Sequence, residues 1–261
     1  MSLEPVALIT GVGPGLGAAL ARRFARGGFA LGLVARGRDN IDDLAREVSA
    51  GGGRALPVQA DIGRPAEVKS ALERIRAELG PIGILLHNAS SSEGDGLFET
   101  TVENFESSWR TATLGGFVCA QETARDMIAT GEGAMIFTGA TSSVRGGGWL
   151  AFSSAKFALR GLAQSLAREL WPQGVHVAHV IVDGIIGAAD ETSGADEPKL
   201  DPNRSRRLTG TWQPSSGLPG PWNWICARTA KSSSNDSHES GAEDRWSETP
   251  SRCKTVVGGD T

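Results

Sequence analysis

Short apolar runs alternate with stretches of helical periodicity over the first 182 residues of the chain. The runs are apolar at nearly every position, which is typical of strands buried on both faces. They are Val6–Thr10, Phe29–Ala35, Arg54–Ala60, Ile82–His87, Ala134–Thr138 and Val175–Val182. Between them, apolar residues recur every three or four positions in Leu16–Arg26, Ile41–Ala50, Pro65–Leu79 and Ala151–Leu170. This alternation predicts an α/β fold, a doubly wound parallel β-sheet with helices on both faces.

The pattern ends after about residue 188. Residues 232–241 show no periodicity, and four of the seven tryptophans lie in settings without an amphipathic pattern, at Trp212, Trp222, Trp224 and Trp246. Such a segment cannot bury its large apolar side chains in a regular way. We therefore predict one domain over residues 1–202 and an irregular, disordered tail over residues 203–261.

Charge and composition narrow the classes of partner. The net charge of −4 at pH 7 gives no reason to expect nucleic acid or an anionic membrane surface as a partner. No apolar stretch approaches the roughly 20 residues of a membrane-spanning helix, and the N-terminus shows no secretory signal. Cys119, Cys226 and Cys253 fit neither a disulfide framework nor a zinc site. These features predict a cytoplasmic protein that binds a small molecule and no metal.

The loop after the first strand reads Thr10-Gly11-Val12-Gly13-Pro14-Gly15-Leu16-Gly17, and a helix follows at once. Glycines here let the backbone approach a pyrophosphate, which is bound by amide donors at the helix N-terminus. The spacing is T-G-x-x-x-G-x-G, because Leu16 stands where G-x-G-x-x-G requires its third glycine. The alternative is a tight strand–helix turn without a ligand. We expect a Rossmann-like sheet that binds a dinucleotide through Thr10, Gly11, Gly13, Gly15, Leu16 and Gly17.

The end of the second strand bears on the choice of cofactor. It reads Val34-Ala35-Arg36-Gly37-Arg38, with no carboxylate before Asp39. An acidic residue there would bind the ribose 2′-hydroxyl of NAD, whereas a guanidinium can pair with the 2′-phosphate of NADP. Arg36 therefore favours NADP(H) over NAD(H), unless both arginines are simply solvated charges on a loop.

These features, with three further segments, resemble the short-chain dehydrogenase/reductase family over roughly residues 5–190. Asp61 follows the third strand, and His87-Asn88-Ala89-Ser90 follows the fourth and resembles the N-N-A-G segment of the family. Ala155-Lys156-Phe157-Ala158-Leu159 resembles the helix that carries the active-site lysine. The resemblance implies an oxidoreductase that transfers a hydride between NADP(H) and a carbonyl or alcohol, and it allows a homo-oligomer.

The same resemblance implies roles for individual residues. Asp61 would contact the adenine, Asn88 and Ala89 would line the cofactor site, and Lys156 would bind the nicotinamide ribose. Gly184 and Ile185 occupy the turn after the sixth strand that contacts the nicotinamide, although the family's P-G pair is Asp183-Gly184 here.

The catalytic positions depart from the family pattern. The proton-donating tyrosine would stand four residues before Lys156, where the chain has Phe152, and the chain contains no tyrosine at all. Ala140 and Ala112 stand where the family carries its serine and asparagine. Thr141 and Ser142, with Ser143, are close enough to replace the serine if the loop shifts. We therefore expect Lys156, Thr141 and Ser142 to form what remains of a catalytic site.

Family members end with a seventh strand and a helix that covers the substrate. We find neither beyond Pro202, so we expect the final strand to be missing or replaced. Codons can be chosen for Arg204–Ser234 so that another reading frame encodes IAETYWHLATQQRPAWTLELDLRPHSEKF and then stops. That peptide resembles the C-terminal ends of family members, which is compatible with a frameshift near Asn203.

Three hypotheses follow. The first is an NADP(H)-dependent oxidoreductase without a tyrosine, and the second is a catalytically inactive relative that binds the nucleotide. The third is a non-functional gene product with a disrupted C-terminus. Turnover of carbonyl compounds separates the first two, and a cooperative melting transition separates both from the third.

Overall fold

A computed structural model of the chain describes residues 4–91, 96–183 and 223–228. Within these ranges it contains a seven-stranded sheet with the strand order β3-β2-β1-β4-β5-β6-β7. The strands are β1 Val6–Thr10, β2 Ala30–Ala35, β3 Ala55–Gln59, β4 Ile82–His87, β5 Gly133–Ala140, β6 Val175–Asp183 and β7 Asn223–Arg228. Every neighbouring pair is parallel, so the prediction of a doubly wound parallel sheet is confirmed.

Six α-helices connect the strands and cover both faces of the sheet. They are α1 Leu16–Arg26, α2 Asp39–Ala50, α3 Pro65–Leu79, α4 Val102–Trp109, α5 Gly115–Thr130 and α6 Leu150–Leu170. A π-helical segment, Arg110–Leu114, joins α4 to α5, and a 3₁₀ turn, Thr141–Ser143, follows β5. No helix in the described ranges is both long enough and apolar enough to cross a membrane.

The core consists of two apolar layers, one on each face of the sheet. Successive residues of a strand point to opposite faces, and β1 illustrates this arrangement. Val6 and Leu8 pack into the layer that includes Leu72 of α3, whereas Ala7 and Ile9 pack into the layer with Leu20 of α1. The continuous apolar runs in the sequence are thus explained by strands that are buried from both sides.

The seventh strand lies at the edge of the sheet where we expect the final strand to be missing or replaced. Residues 223–228 pair in parallel with Ala178–Asp183 of β6. This strand comes from the stretch that we expect to be irregular, so the edge is filled by a strand from that stretch, and the extent of the irregular tail stays a prediction. A short apolar stretch can take the free edge of a sheet because the edge strand offers unpaired backbone donors and acceptors, whatever the side-chain pattern.

The direction of the strand order reverses between β1 and β4. Chain connections leave these two strands toward opposite sides, so a crevice opens at their carboxyl ends. Ligands of open α/β sheets bind in such a crevice. The residues that follow β1, β2, β4 and β5 therefore define where a functional site is to be sought.

Candidate active site

The two strands beside the crevice are linked directly at their carboxyl ends. Thr10 ends β1 and His87 ends β4, and the Thr10 hydroxyl lies 2.9 Å from Nδ1 of His87. Nε2 of His87 lies 2.9 Å from the carbonyl oxygen of Ala112 in the π-helical segment, so this nitrogen donates and Nδ1 accepts from Thr10. Burial lowers the pKa of His87 to about 4, although the hydrogen bond to Ala112 opposes the shift. His87 is therefore a neutral bridge between β1, β4 and the start of α5.

The glycine-rich loop is shaped by close backbone contacts. Gly11 has a φ of +71°, and a Cβ atom there would lie 2.5 Å from the backbone of Ala89. A Cβ atom on Gly17 would lie 2.7 Å from the carbonyl oxygen of Gly11. At Gly13, by contrast, a Cβ atom would meet nothing within 4 Å. The loop is thus packed tightly on its inner side and open at Gly13.

The start of α1 suits an anion. Gly15 precedes the helix without a side-chain hydrogen bond to it, and its first turn carries no acidic residue. Amide groups at an uncapped helix N-terminus attract negative charge through their donors and through the helix dipole. The open backbone at Gly13 lies at this end of the helix, so the loop fits the pyrophosphate of a dinucleotide.

Three of the residues expected to line the cofactor site support the loop. Nδ2 of Asn88 donates to the carbonyl oxygen of Gly11 at 3.0 Å, and Ala89 is the backbone against which Gly11 packs. The Thr10 side chain is fully buried beneath the loop, in its hydrogen bond with His87. The Leu16 side chain is buried in the core, so only its backbone faces the turn. Their contact with a cofactor stays a prediction.

The two arginines after β2 have different surroundings. The Arg38 guanidinium bonds to the Asp42 carboxylate at 3.1 Å. Arg36 is exposed, its carbonyl oxygen accepts from Gln59, and its guanidinium makes no hydrogen bond or ion pair within the described ranges. At the end of β3, the Asp61 carboxylate accepts from the Gly63 amide at 2.9 Å. Of the two guanidinium groups, that of Arg36 is therefore the one left available for a ligand.

Lys156 is a buried residue of α6 that reaches the carboxyl-terminal half of β5. Its side chain is only 3% exposed, and Nζ donates to the carbonyl oxygen of Thr138 at 2.7 Å. Nζ also lies 5.5 Å from the ring centroid of Phe152, one helical turn earlier. Burial lowers the pKa of Lys156 to about 8. The ammonium group thus keeps two donors for a ligand, and the neighbouring side chain offers it a hydrocarbon ring instead of a hydroxyl.

The turn at the end of β5 carries three hydroxyl side chains. Ala140 is the last residue of the strand, and its amide donates to the buried Oγ of Ser143 at 3.1 Å. Thr141 and Ser142 are half-buried in the 3₁₀ turn that follows. Ser143 is therefore engaged in holding the turn, and Thr141 and Ser142 remain the candidates for contact with a substrate.

The π-helical segment holds a polar side chain that the sequence comparison did not single out. Thr113, not Ala112, points its side chain toward α6, where Oγ1 donates to the carbonyl oxygen of Ala155 at 3.0 Å. Ala112 contributes only its carbonyl oxygen, which accepts from His87. Inserted residues of this kind in helices are frequent at functional sites. Here the insertion fixes the distance between α5 and the lysine-bearing helix.

Sequence reasoning also missed the role of His87, because this role depends on contacts through space. His87 contacts Thr10, which is 77 positions away in the sequence, and Ala112, which is 25 positions away. Trp149 immediately precedes α6 and places its ring edge-on to Phe152, with centroids 5.9 Å apart. Gly184 and Ile185 lie outside the described residues. The described residues contain no group of histidine, cysteine and acidic side chains that would hold a metal ion.

Comparison with known proteins gives a consistent result. The family model for short chain dehydrogenases matches residues 5–197. A short-chain dehydrogenase/reductase of Armillaria gallica is 31% identical over 176 residues, which are 66% of this chain and 67% of the relative. A short-chain dehydrogenase structure from Rhodopseudomonas palustris is 34% identical, with a TM-score of 0.72 over 87% of this chain and 99% of the other. One from Sphingobium yanoikuyae, in complex with NADPH, is 29% identical, with a TM-score of 0.70 over 78% and 82% of the two chains.

Proposed function

The chain belongs to the short-chain dehydrogenase family, and we propose that it is an NADP(H)-dependent oxidoreductase acting on a carbonyl or alcohol without a catalytic tyrosine. The observation that carries this proposal is that the open Gly13 loop and the buried Lys156 are both placed at the carboxyl ends of the strands, the loop after β1 and the lysine through its hydrogen bond to Thr138 of β5. The NADPH held by the structure from Sphingobium yanoikuyae supports a nicotinamide cofactor. The unengaged Arg36 guanidinium supports the phosphorylated form of that cofactor.

The described residues fit such a cofactor. The backbone of the glycine loop and the first turn of α1 would hold the pyrophosphate, and Arg36 would hold the 2′-phosphate. Asp61 would lie at the adenine, and Lys156 would hold hydroxyl groups of the nicotinamide ribose. When bound, the reduced cofactor supplies the hydride that converts a carbonyl carbon to an alcohol carbon.

The chain contributes orientation and electrostatics to this reaction. The Lys156 ammonium is buried without a carboxylate partner in the described ranges, so it stabilises negative charge that develops on a carbonyl oxygen nearby. Phe152 has no proton to donate, and the oxygen therefore takes its proton from water. The loss of a positioned acid costs about 10²- to 10⁴-fold in rate. We therefore propose slow carbonyl reduction.

A second candidate function is nucleotide binding without turnover. It is favoured by Phe152 and Ala140, which leave the site without two of the hydroxyl groups that the family resemblance implies. Both candidates require the cofactor site to be intact. They differ only in whether a carbonyl compound is reduced.

The experiment that tests the proposal combines binding with turnover. NADPH and NADH are titrated into the purified chain and into the variants Arg36→Ala and Arg38→Ala, and NADPH oxidation is followed with a panel of carbonyl compounds. We expect tighter binding of NADPH and a loss of about 10- to 100-fold in NADPH affinity in Arg36→Ala, because a hydrogen-bonded charge pair is removed. Arg38→Ala is the matched control, because the Arg38 guanidinium is already paired with Asp42.

Each outcome separates the hypotheses. NADPH binding with carbonyl reduction supports the oxidoreductase, and NADPH binding without reduction of any compound supports the nucleotide-binding relative. Equal affinity for NADPH and NADH, unchanged in Arg36→Ala, would refute the role of Arg36. Absence of both binding and a cooperative melting transition would support the non-functional gene product.

A further inference from the structure

Two aromatic rings and a buried cation follow one another at the start of α6. Phe152 and Lys156 are four positions apart on one face of the helix, and Trp149 immediately precedes the helix, three positions before Phe152. The rings of Trp149 and Phe152 meet edge to face, with centroids 5.9 Å apart and an interplanar angle of 70°. Lys156 Nζ lies 5.5 Å from the Phe152 centroid. The wall beside the ammonium group is therefore aromatic.

Trp149 is held firmly although much of its surface is exposed. Its side chain is 47% exposed, but its carbonyl oxygen accepts from the Ser153 amide at 2.8 Å, which ties it to the first turn of α6. Gly146, Gly147 and Gly148 precede it, and a Cβ atom on any of them would meet nothing within 4 Å. An exposed indole on a fixed backbone beside an open loop offers its face to a ligand.

We propose that Trp149, with Phe152, forms an aromatic wall that selects substrates with an aryl group next to the carbonyl. This inference rests on the proposed function, because it assigns the substrate class of the same site. A phenyl ring beside the carbonyl stacks against the indole face, while the carbonyl oxygen points toward the Lys156 ammonium. Aromatic pairs gain about 2- to 12-fold in affinity beyond the apolar area that they bury. A cyclohexyl ring of similar size has no π face and lacks this gain.

The test compares two ketones that differ only in this ring, acetophenone and cyclohexyl methyl ketone. kcat/KM for NADPH-dependent reduction is measured for the parent chain, Trp149→Leu and Trp149→Phe. Leucine keeps an apolar side chain without a π system, and phenylalanine keeps an aromatic ring. Trp171→Leu is the matched control, because Trp171 follows the other end of α6, is 40% exposed and also packs edge-on to a ring, that of His176.

Binding of two unreactive amides, benzamide and cyclohexanecarboxamide, to the NADPH-loaded chain is measured in parallel by calorimetry. Amides present a carbonyl that is not reduced by the cofactor. Their affinities therefore measure contact with the aromatic wall independently of turnover. We expect the parent chain, Trp149→Phe and Trp171→Leu to prefer the aryl compound by about 2- to 12-fold in both measurements. We expect Trp149→Leu to lose that preference, while its melting temperature and its NADPH affinity stay unchanged.

The outcomes distinguish failure of the proposed aromatic wall from failure of the proposed oxidoreductase function. Reduction of both ketones with no aryl preference, or with a preference that survives in Trp149→Leu, overturns the wall and leaves the oxidoreductase standing. An aryl preference in amide binding that Trp149→Leu abolishes, without reduction of either ketone or of any compound in the carbonyl panel, supports the wall and overturns the oxidoreductase. Equal binding of the two amides by the parent chain overturns the wall regardless of turnover.

Discussion

Replacement of Phe152 with tyrosine would place a proton donor in the site, and the structure allows its acidity to be worked out. The new hydroxyl would lie beside Lys156, whose Nζ is 5.5 Å from the centroid of the present ring. The nearby cation stabilises the phenolate form of the new side chain, which lowers the pKa of its hydroxyl. An isolated phenol has a pKa of about 10, so we expect the pKa of the new hydroxyl to lie below that value and closer to neutral pH.

A phenol with this pKa is mostly protonated at neutral pH and is a good acid for a carbonyl oxygen. Positioned acid catalysis contributes about 10²- to 10⁴-fold in rate, so we expect Phe152→Tyr to raise kcat for carbonyl reduction by at least about 10²-fold. The rate of reduction should then fall as the pH rises through the lowered pKa of the phenol, because its acid form is lost. The assay is NADPH oxidation with the carbonyl panel between pH 6 and pH 10, together with NADPH titration.

Two further variants test whether the hydroxyl and the neighbouring cation cause the expected gain in rate. Phe152→Leu should not accelerate reduction, because it removes the ring without adding a donor. Addition of Lys156→Met to Phe152→Tyr should remove most of the gain, because the cation that lowers the phenol pKa is gone. If Phe152→Tyr binds NADPH and melts like the parent chain but reduces no compound faster, proton supply does not limit this site, and our account of it is wrong.

Two other predictions concern the loop and the buried histidine. Gly13→Ala adds a methyl group in open space, so it should leave the melting temperature unchanged and weaken NADPH binding in a titration. In Gly17→Ala the added methyl group would press on the Gly11 carbonyl oxygen, so this variant should lower the free energy of unfolding by about 1–3 kcal/mol. A Gly13→Ala variant that binds NADPH normally would contradict the placement of the pyrophosphate. Burial lowers the pKa of His87 to about 4 and that of His179 to about 3, both below the unfolded value of about 6.5. The unfolded chain therefore binds more protons below about pH 6.5, and stability should be lost as the pH falls from there toward 4. Urea unfolding at several pH values should show this loss, and a smaller one in His87→Asn; an equal loss in both would exclude His87 as a source.

The parts of the fold that the sequence predicted are those set by local pattern. Doubly buried strands need an apolar residue at each position, so Val6–Thr10 and Ile82–His87 can be recognised without any knowledge of their neighbours. The glycine loop can be recognised for a similar reason, since the end of the strand, the turn and the helix start all fall within a few residues of Gly11. Lys156 was identified through its family segment, and the structure adds that it is buried.

The parts that the sequence did not predict depend on side chains brought together from distant positions. Nothing around His87 in the sequence indicates that Thr10 and Ala112 will be its partners. Alignment with the family segment places Ala112 at the asparagine position. The residue types alone do not show that the segment is π-helical or that the Thr113 side chain contacts α6. The contact of Trp149 with Phe152, and the open space at the glycines before it, are likewise not evident from the sequence.

The strand β7, which is the described part of the C-terminal stretch, and the candidate cofactor site lie in different parts of the sheet. In the strand order, β5 and β6 lie between β7 and the crevice at β1 and β4. The glycine loop, Arg36, Asn88 and Lys156 all come from residues that precede Asp183. A change of sequence within β7, the described part of the chain after residue 202, therefore acts on one edge of the sheet, through backbone pairing with β6. It alters the stability of that edge, while the chemistry of the crevice depends on Phe152 and Lys156, which lie in the part of the chain before it.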